Sequence, residues 1–543
     1  MRLLFLVLFI LFGTQAQGAT LKEGKLFEKA LKEGACSLNY FKELSRGELK
    51  EPFLNLFVWD CLEKRNYKLL SLAKEVKNPY SKVEVARALK ELGKEEEALE
   101  ILKEVFKSTN RLDEEITLIA GKRVKELFTP EILRVKAWRA AKNRQIDQAL
   151  FYLDYLKEDP LITYLLAYTF LRAGKRETAK ELFKESKNPS SYYFLVFISK
   201  SLPEKVFWYQ KLLSQKGKER LKERATVYLL DYLFRRDFGL FRLALRETGK
   251  AGLTKLYLYY RDRYRVYTQG CKAEVANRAP QKWWKRACKG KGELPKGINF
   301  YSLLLNPPKS FPFNLKEGKK ELKLKDEGLK YLYKKGYCQI LSLIDKKTPQ
   351  TALLMYLCGE YRKGIIFGAP FKNRLNKYPY LLFVLYPKPP IFKGDLISLA
   401  IARQESLFHK RALSRSGAIG LMQIMPKTGR EIAIRLKEKN YKTERLFEPE
   451  LNYRFGSYYI HKLLKRFKLF PLAAAAYNCG PLRVKRALKT FGKIKGKEDL
   501  ILFTDVYLPF AETREYVKRT LVNLYYYSNL YGNGTEWKTF LKP

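Results

Sequence analysis

The chain has 543 residues, 106 basic against 56 acidic, a formal net charge of +50 and two histidines. That length exceeds what one hydrophobic core organises and predicts about three units of ordinary domain size. Helix formers dominate and strand-type alternation is sparse, which predicts an all-α protein. The scarcity of histidine and the lack of clustered His/Cys/Asp spacing argue against a metal site, and no cofactor is expected. The basic residues are spread along the chain without an aromatic-interleaved module, so nucleic acid is not an expected partner. Two readings of the charge stay open: attraction to an anionic polymer or surface, and a solvated Lys/Glu-rich exterior.

At the N-terminus, Arg2 precedes an apolar run from Leu3 to Phe12 and then the small residues Gly13, Thr14, Ala16, Gly18 and Ala19. This is the pattern of a secretory signal, expected over 1–18. The run is short for a bilayer span and no cysteine follows it closely. The mature protein is therefore expected to be exported and soluble, without a lipid anchor. Cysteine usage agrees with an oxidising compartment. Six of the seven form three sequence neighbours, predicting the disulfides Cys36–Cys61, Cys271–Cys288 and Cys338–Cys358 at separations that suit facing helices of a hairpin. The alternative is that several are small buried core residues. Cys479 is left odd.

Residues 19–298 read as helix after helix with short connectors. Val85-Ala86-Arg87-Ala88-Leu89 leads through Leu92-Gly93-Lys94 to Ala98-Leu99. Val135-Lys136-Ala137-Trp138 leads through Asn143-Arg144 to Ala149-Leu150, and Leu165-Leu166-Ala167-Tyr168 through Ala173-Gly174-Lys175 to Ala179. Small residues on two helices flanking a tight turn are the packing signature of tetratricopeptide-like repeats, here at irregular spacing, so an α-superhelical solenoid is expected. Asn306-Pro307-Pro308-Lys309 and Phe311-Pro312-Phe313 break helical continuity, and Tyr386-Pro387-Lys388-Pro389-Pro390 marks a clearer boundary. The expected division is thus a helical segment over 299–385 and a last domain over 386–543.

The last domain carries the chemistry. Asp395 caps a helix with apolar Leu396, Leu399, Ala400 and Ile401, and Glu405 sits near its C-terminal end. Apolar surroundings and the carbonyl-rich helix terminus both disfavour the carboxylate, which predicts a protonated Glu405, a general acid. Four blocks follow one another: Glu405-Ser406; Ser414 with Ser416-Gly417-Ala418-Ile419-Gly420-Leu421-Met422-Gln423-Ile424-Met425-Pro426; Ala474-Ala475-Ala476-Tyr477-Asn478-Cys479-Gly480-Pro481; and Pro509-Phe510-Ala511-Glu512-Thr513-Arg514-Glu515-Tyr516-Val517.

In that order the four blocks resemble the catalytic domain of the soluble lytic murein transglycosylases, a family with a goose-type-lysozyme-like fold. The resemblance is sharp over the last domain and one of style before it. It implies an α-superhelical domain, open or closed into a ring, then a linker domain to which Phe300–Leu304 with the Pro-rich stretch is similar. It also implies Glu405 as the single catalytic acid/base, Ser414 as a hydrogen-bonding neighbour, Gln423 and Met425 as cleft wall, Tyr477 and Asn478 as cleft lining, and Glu512 as a second nearby carboxylate. His409-Lys410 and Cys479 depart from the family pattern. The implied reaction is cleavage of the β-1,4 bond between N-acetylmuramic acid and N-acetylglucosamine in peptidoglycan, leaving 1,6-anhydromuramyl ends. Two alternatives stay open: a lysozyme-type hydrolase in which Glu450 or Glu512 positions water, and a non-catalytic cell-wall scaffold. The expected partners are peptidoglycan glycan strands and other cell-wall enzymes, with the protein a periplasmic monomer.

Overall fold

A computed structural model describes residues 20–541 apart from Gly47, Lys187, Arg235, Lys291, Gly292 and Arg415. The expected signal segment lies outside the described residues. Among the described residues the fold is all-α, with isolated bridges Leu413–Ile419 and Ile419–Ile424 and no strand. None of the described helices is long and apolar enough to cross a membrane. The chain divides into two units, Met1–Lys218 with Lys323–Cys358, and Glu219–Leu322 with Gly359–Pro543.

In the first unit, the three motif stretches are helical hairpins: α1 (Pro79–Glu91) with α2 (Glu95–Ser108), α3 (Pro130–Lys142) with α4 (Ile146–Asp154), and α5 (Ile162–Arg172) with α6 (Arg176–Glu185). Asn78 and Thr129 cap α1 and α3, each followed by a proline in the first turn. All three hairpins turn on a left-handed residue: Gly93 (φ 74°), Arg144 (φ 64°) and Gly174 (φ 87°). In each, that residue's N–H donates to the carbonyl of Lys90, Ala141 or Leu171, and the following N–H donates to Leu89, Ala140 or Phe170. This pair of bonds is the Schellman closure, which satisfies the last helical carbonyls and reverses the chain. The Gly or Arg of the sequence motif is therefore a turn residue. Ala86, Ala98, Ala137, Ala149, Ala167 and Ala179 are buried and let the paired backbones approach. Both α2 and α5 pack against α3, so neighbouring hairpins share a core.

Lys136, wholly buried on α3, donates to Asp113 Oδ1 (2.6 Å) and to the carbonyls of Phe106 (2.9 Å) and Thr109 (3.0 Å) at the end of α2. Burial pushes its pKa down to about 8.

In the second unit, α7 (Glu219–Leu233) and α8 (Thr254–Gln269) accompany a lysozyme-sized helical group. Its members include α9 (Leu396–Ser406), α10 (Pro426–Arg435), α11 (Pro449–Phe467), α12 (Phe470–Cys479) and α13 (Ala511–Tyr531). Helix α13 is the axis, packed by both α9 and α12. The fully buried run Ala473–Ala476 removes side-chain bulk where α12 meets it. The pairs Cys36–Cys61, Cys271–Cys288 and Cys338–Cys358 are bridged, with Cα separations of 4.8, 5.2 and 5.4 Å. Cys36 lies in a connector, Cys271 in the short 3-10 helix Gly270–Lys272 and Cys358 at the cap after its helix, so none of the three bridges joins two facing α-helices.

A left-handed conformation costs a non-glycine residue roughly 1 kcal/mol. Arg144→Gly is therefore expected to stabilise the first unit by about 0.5–1 kcal/mol in urea denaturation; a loss of stability would mean the arginine side chain outweighs its backbone strain.

Candidate active site

Helix α9 brings Glu405 to the centre of the second unit. Asp395 begins it, its Oδ1 accepting from the Ser398 N–H at 3.1 Å, and every residue from Ile397 to Ala402 is buried. The helix is locked to α13 by Asn523, whose Nδ2 donates to the Ala400 carbonyl at 3.2 Å and whose Oδ1 accepts from Arg403 at 3.0 Å. It ends at once after Glu405-Ser406, because Leu407 (φ 53°) and Phe408 (φ 65°) turn left-handed. Ser406 Oγ donates to the Leu421 carbonyl at 2.7 Å, joining the helix end to the glycine-containing turn.

That turn is shaped by a buried amide. Asn452 on α11 accepts from the Met422 N–H at 2.8 Å and donates to the carbonyls of Ile419 (2.8 Å) and Leu446 (2.7 Å). Gly420 (φ 80°) lies so close that a Cβ there would fall 2.7 Å from the Asn452 side-chain carbon. Only glycine combines that backbone with that approach.

The Glu405 carboxyl opens onto a cavity of about 420 Å³ and is otherwise surrounded by protein. Its Oε1 accepts from the Tyr516 hydroxyl at 2.7 Å. Burial pushes its pKa up to about 7, and the neighbouring Glu512 charge adds to the rise; the Tyr516 hydrogen bond opposes both by stabilising the anion. Burial also lifts the Tyr516 and Tyr477 hydroxyls well above the ordinary tyrosine range, so both stay protonated near neutrality.

The other sequence-selected residues fall around this carboxyl. Ser414, Gln423, Asn478 and Glu512 line the same cavity. Ser414 Oγ accepts from the Ala418 N–H at 2.8 Å, so it closes its own turn. Gln423 (φ 50°) donates to the Gly420 carbonyl at 2.8 Å. Asn478 Oδ1 accepts from the Thr513 hydroxyl at 2.7 Å, which fixes the amide beside the carboxyl. Met425 and Tyr477 line an adjoining cavity of about 480 Å³ that shares Gln423, Asn478 and Glu512 with the first. Tyr477 also donates to the Met422 carbonyl at 2.7 Å. Glu450, exposed in the first turn of α11, does not line the Glu405 cavity. Cys479 is buried, its thiol pushed up to about 11 by burial. Among the described residues no group of carboxylate, His and Cys side chains could hold a metal ion.

Three positions were not picked out in the sequence. Tyr516 stands four residues after Glu512 on α13, hence on its face, and that spacing was a usable signal. Thr513 had none. Asp231 lies far from the motif blocks, on α7, where it is the buried centre of a charge cluster. Its carboxylate accepts from Arg263 (2.8 Å), from Arg514 (3.0 and 3.1 Å), from Tyr260 (3.0 Å) and from the Ala511 N–H (2.7 Å). Arg263 and Arg514 also donate to the Leu508 carbonyl, at 2.9 and 3.2 Å. The cluster thus fixes the turn that launches α13, on whose first two turns Glu512 and Tyr516 stand.

The arrangement is a helical fold with one buried acid in an open cleft walled by amides and aromatic rings. Residues 396–500 match the family model described as Transglycosylase SLT domain. The soluble lytic murein transglycosylases of Salmonella typhimurium and Escherichia coli K12 are each 37% identical to this chain, over 151 and 150 residues. These alignments take in 26% of this chain and 22% of each relative, so the match spans about a fifth of their length. Among solved structures, the 70-kDa soluble lytic transglycosylase of Escherichia coli aligns with 91% of this chain and 87% of its own, at 16% identity and a TM-score of 0.49. An inactive mutant of the lytic transglycosylase Slt from Pseudomonas aeruginosa aligns with 93% and 91%, at 18% identity and a TM-score of 0.47.

A carboxyl whose pKa rises from 4.5 unfolded to about 7 folded keeps its proton in the folded state across that window, so its contribution to stability is lost as pH rises through 7. At 1.36 kcal/mol per unit, discounted for the face open to the cavity, Glu405→Gln is expected to gain about 2–3 kcal/mol on wild type between about pH 4.5 and pH 8. Denaturant unfolding of both proteins across that range measures it, and a difference independent of pH would contradict the buried, protonated carboxyl.

Proposed function

We propose that this protein is a lytic transglycosylase that cleaves the β-1,4 bond between N-acetylmuramic acid and N-acetylglucosamine in peptidoglycan, leaving 1,6-anhydromuramyl ends. The observation that carries this reading is the Glu405 carboxyl, protonated near neutrality at the centre of a cleft walled by amide and aromatic side chains. Held by Tyr516, the acid gives its proton to the glycosidic oxygen as the bond to C1 breaks. The anion left behind is stabilised by the same hydroxyl. The muramyl 2-acetamido carbonyl supports the electron-poor C1, as in substrate-assisted glycosidases. The sugar's own 6-hydroxyl then attacks C1 and returns its proton to Glu405, so the acid is regenerated and no water is consumed. Nucleophile and electrophile share one ring, which lowers the entropic cost of that attack.

Export to the periplasm, action as a monomer, and a division into helical repeat (19–298), linker (299–385) and catalytic (386–543) domains complete this reading. The competing hydrolase retains one specific support, since Glu512 lines the Glu405 cavity and could direct a water there.

Digestion of purified sacculi, with released muropeptides weighed by mass spectrometry, separates the two. Products one water lighter than reducing-end muropeptides are expected, and Glu405→Gln is expected to abolish their release. Reducing ends would instead establish a hydrolase. Because the acid form starts the reaction, activity is expected to fall as pH rises through about 7. Tyr516→Phe removes the bond that lowers the Glu405 pKa and should move that limb to higher pH; Glu512→Gln removes the charge that raises it and should move the limb lower. A shift opposite to that expected for either variant in rate–pH profiles would contradict the role given to that residue.

A further inference from the structure

On the first unit, surface cations are laced with carboxylates. Lys74 pairs with Glu97, Arg87 with Glu84 (3.0 Å) and Glu115 (2.9 Å), and Arg123 with Glu96 (2.7 Å) and Glu126 (2.6 Å). Pairs of this kind neutralise one another and leave little charge for a ligand. The helix Phe238–Lys250 of the second unit departs from that pattern. Arg242, Arg246 and Lys250 recur every fourth residue, so they share one face, and all three are exposed. They line a cavity of about 510 Å³ between this helix and the start of α8, with no carboxylate in its wall.

Glu247 lies outside that wall and pairs with both Arg246 (3.5 Å) and Lys250 (3.1 Å). Arg242 has no hydrogen bond or ion pair among the described residues. Three cations thus face one concave space against a single outlying carboxylate. Like charges four residues apart repel along a helix, and an anion seated among them removes that repulsion. The rest of the lining is apolar. Leu245 is buried, and the Tyr257 ring packs so closely on Gly249 that a Cβ there would fall 3.2 Å from its Cδ2.

The cation set discriminates among anions. One guanidinium fork satisfies a carboxylate, which offers two oxygens and a single charge. A phosphate monoester carries three acceptor oxygens and close to two charges at neutral pH, enough to engage several cations together. Neighbouring members of the ladder stand about 6 Å apart along the helix axis, a span that Arg and Lys side chains close on one such group. The cavity is larger than a bare phosphate, and Leu245 and Tyr257 can receive the organic part.

We propose that this cavity binds a phosphate monoester, with Arg242, Arg246 and Lys250 as the recognising cations and Leu245 and Tyr257 as the bed for the group that carries the phosphate. It shares no lining residue with the Glu405 cavity or with the adjoining Met425 cavity, so it stands apart from the glycan cleft and from the reaction proposed there. The site gives the protein a hold on a phosphorylated molecule, either a soluble ester or a lipid headgroup.

Full-length protein is titrated calorimetrically with glycerol 3-phosphate and with succinate, a dicarboxylate of similar charge. It is also sedimented with phosphatidylcholine vesicles with and without phosphatidic acid. Binding of glycerol 3-phosphate identifies a soluble ester as sufficient; binding to phosphatidic acid vesicles alone identifies a lipid headgroup. In either case R242Q/R246Q/K250Q is expected to weaken binding about tenfold or more. R242Q alone breaks no bond within the protein and is expected to act in the same direction. K29Q/K157Q/K200Q removes the same charge from exposed positions of the first unit and is expected to leave binding unchanged. Binding of neither phosphate probe, equal affinity for succinate, or equal losses in the two triple variants would overturn the proposal.

Discussion

A carboxyl group taken out of water, with a tyrosine hydroxyl as hydrogen-bond partner and another carboxylate as electrostatic neighbour, must keep its proton or destabilise the fold. Glu405 is held under that constraint, and burial wins over the Tyr516 hydrogen bond, with a resulting pKa of about 7. Much of the second unit serves to impose it. The buried run Ile397–Ala402 anchors the helix, left-handed Leu407 and Phe408 end it at the point where the acid is needed, and Asn523 stops it from sliding along α13. A carboxyl on a fraying surface helix would relax toward solvent and become an ordinary carboxylate.

The same constraint explains the cost carried by α13. Its first turns must present Glu512 and Tyr516 at fixed places, because one raises and the other lowers the same pKa. The turn ahead of it is therefore held by two arginines that converge on buried Asp231. A buried ion cluster of this kind is a weak source of net stability, since desolvation offsets most of the attraction. Its directional bonds to the Val506 and Leu508 carbonyls and to the Ala511 N–H give it geometric value instead. In this protein, the position of a helix N-terminus is where buried charge is spent.

What was legible in the sequence follows from how local each feature is. The left-handed residues Gly93, Arg144 and Gly174 act within their own hairpins, so the repeat could be read from spacing alone, and Glu405, Gln423, Tyr477 and Asn478 stand in short blocks whose composition is itself unusual. Ser414 was read as a neighbour of the acid, and it lines the cavity, although its hydroxyl is taken by the Ala418 N–H within its own turn. Tyr516 was visible as a letter but not as a partner, because a tyrosine on an apolar helix face is more often core. Asp231 was beyond reach: its partner Arg514 is 283 residues away, and no periodicity reports a contact of that span. The +50 net charge was read evenly between solvation and attraction to an anion.

The central claim is that Glu405 holds a proton at neutral pH before any substrate arrives. Infrared difference spectra of wild type against Glu405→Gln, recorded across a pH titration, would isolate the protonated-carboxyl band of this one residue. The account predicts that the band persists through pH 6 and disappears with a midpoint near 7. A midpoint near 4.5, the ordinary value for a glutamate, would mean the cleft leaves Glu405 ionised and would remove the acid on which the proposed chemistry depends.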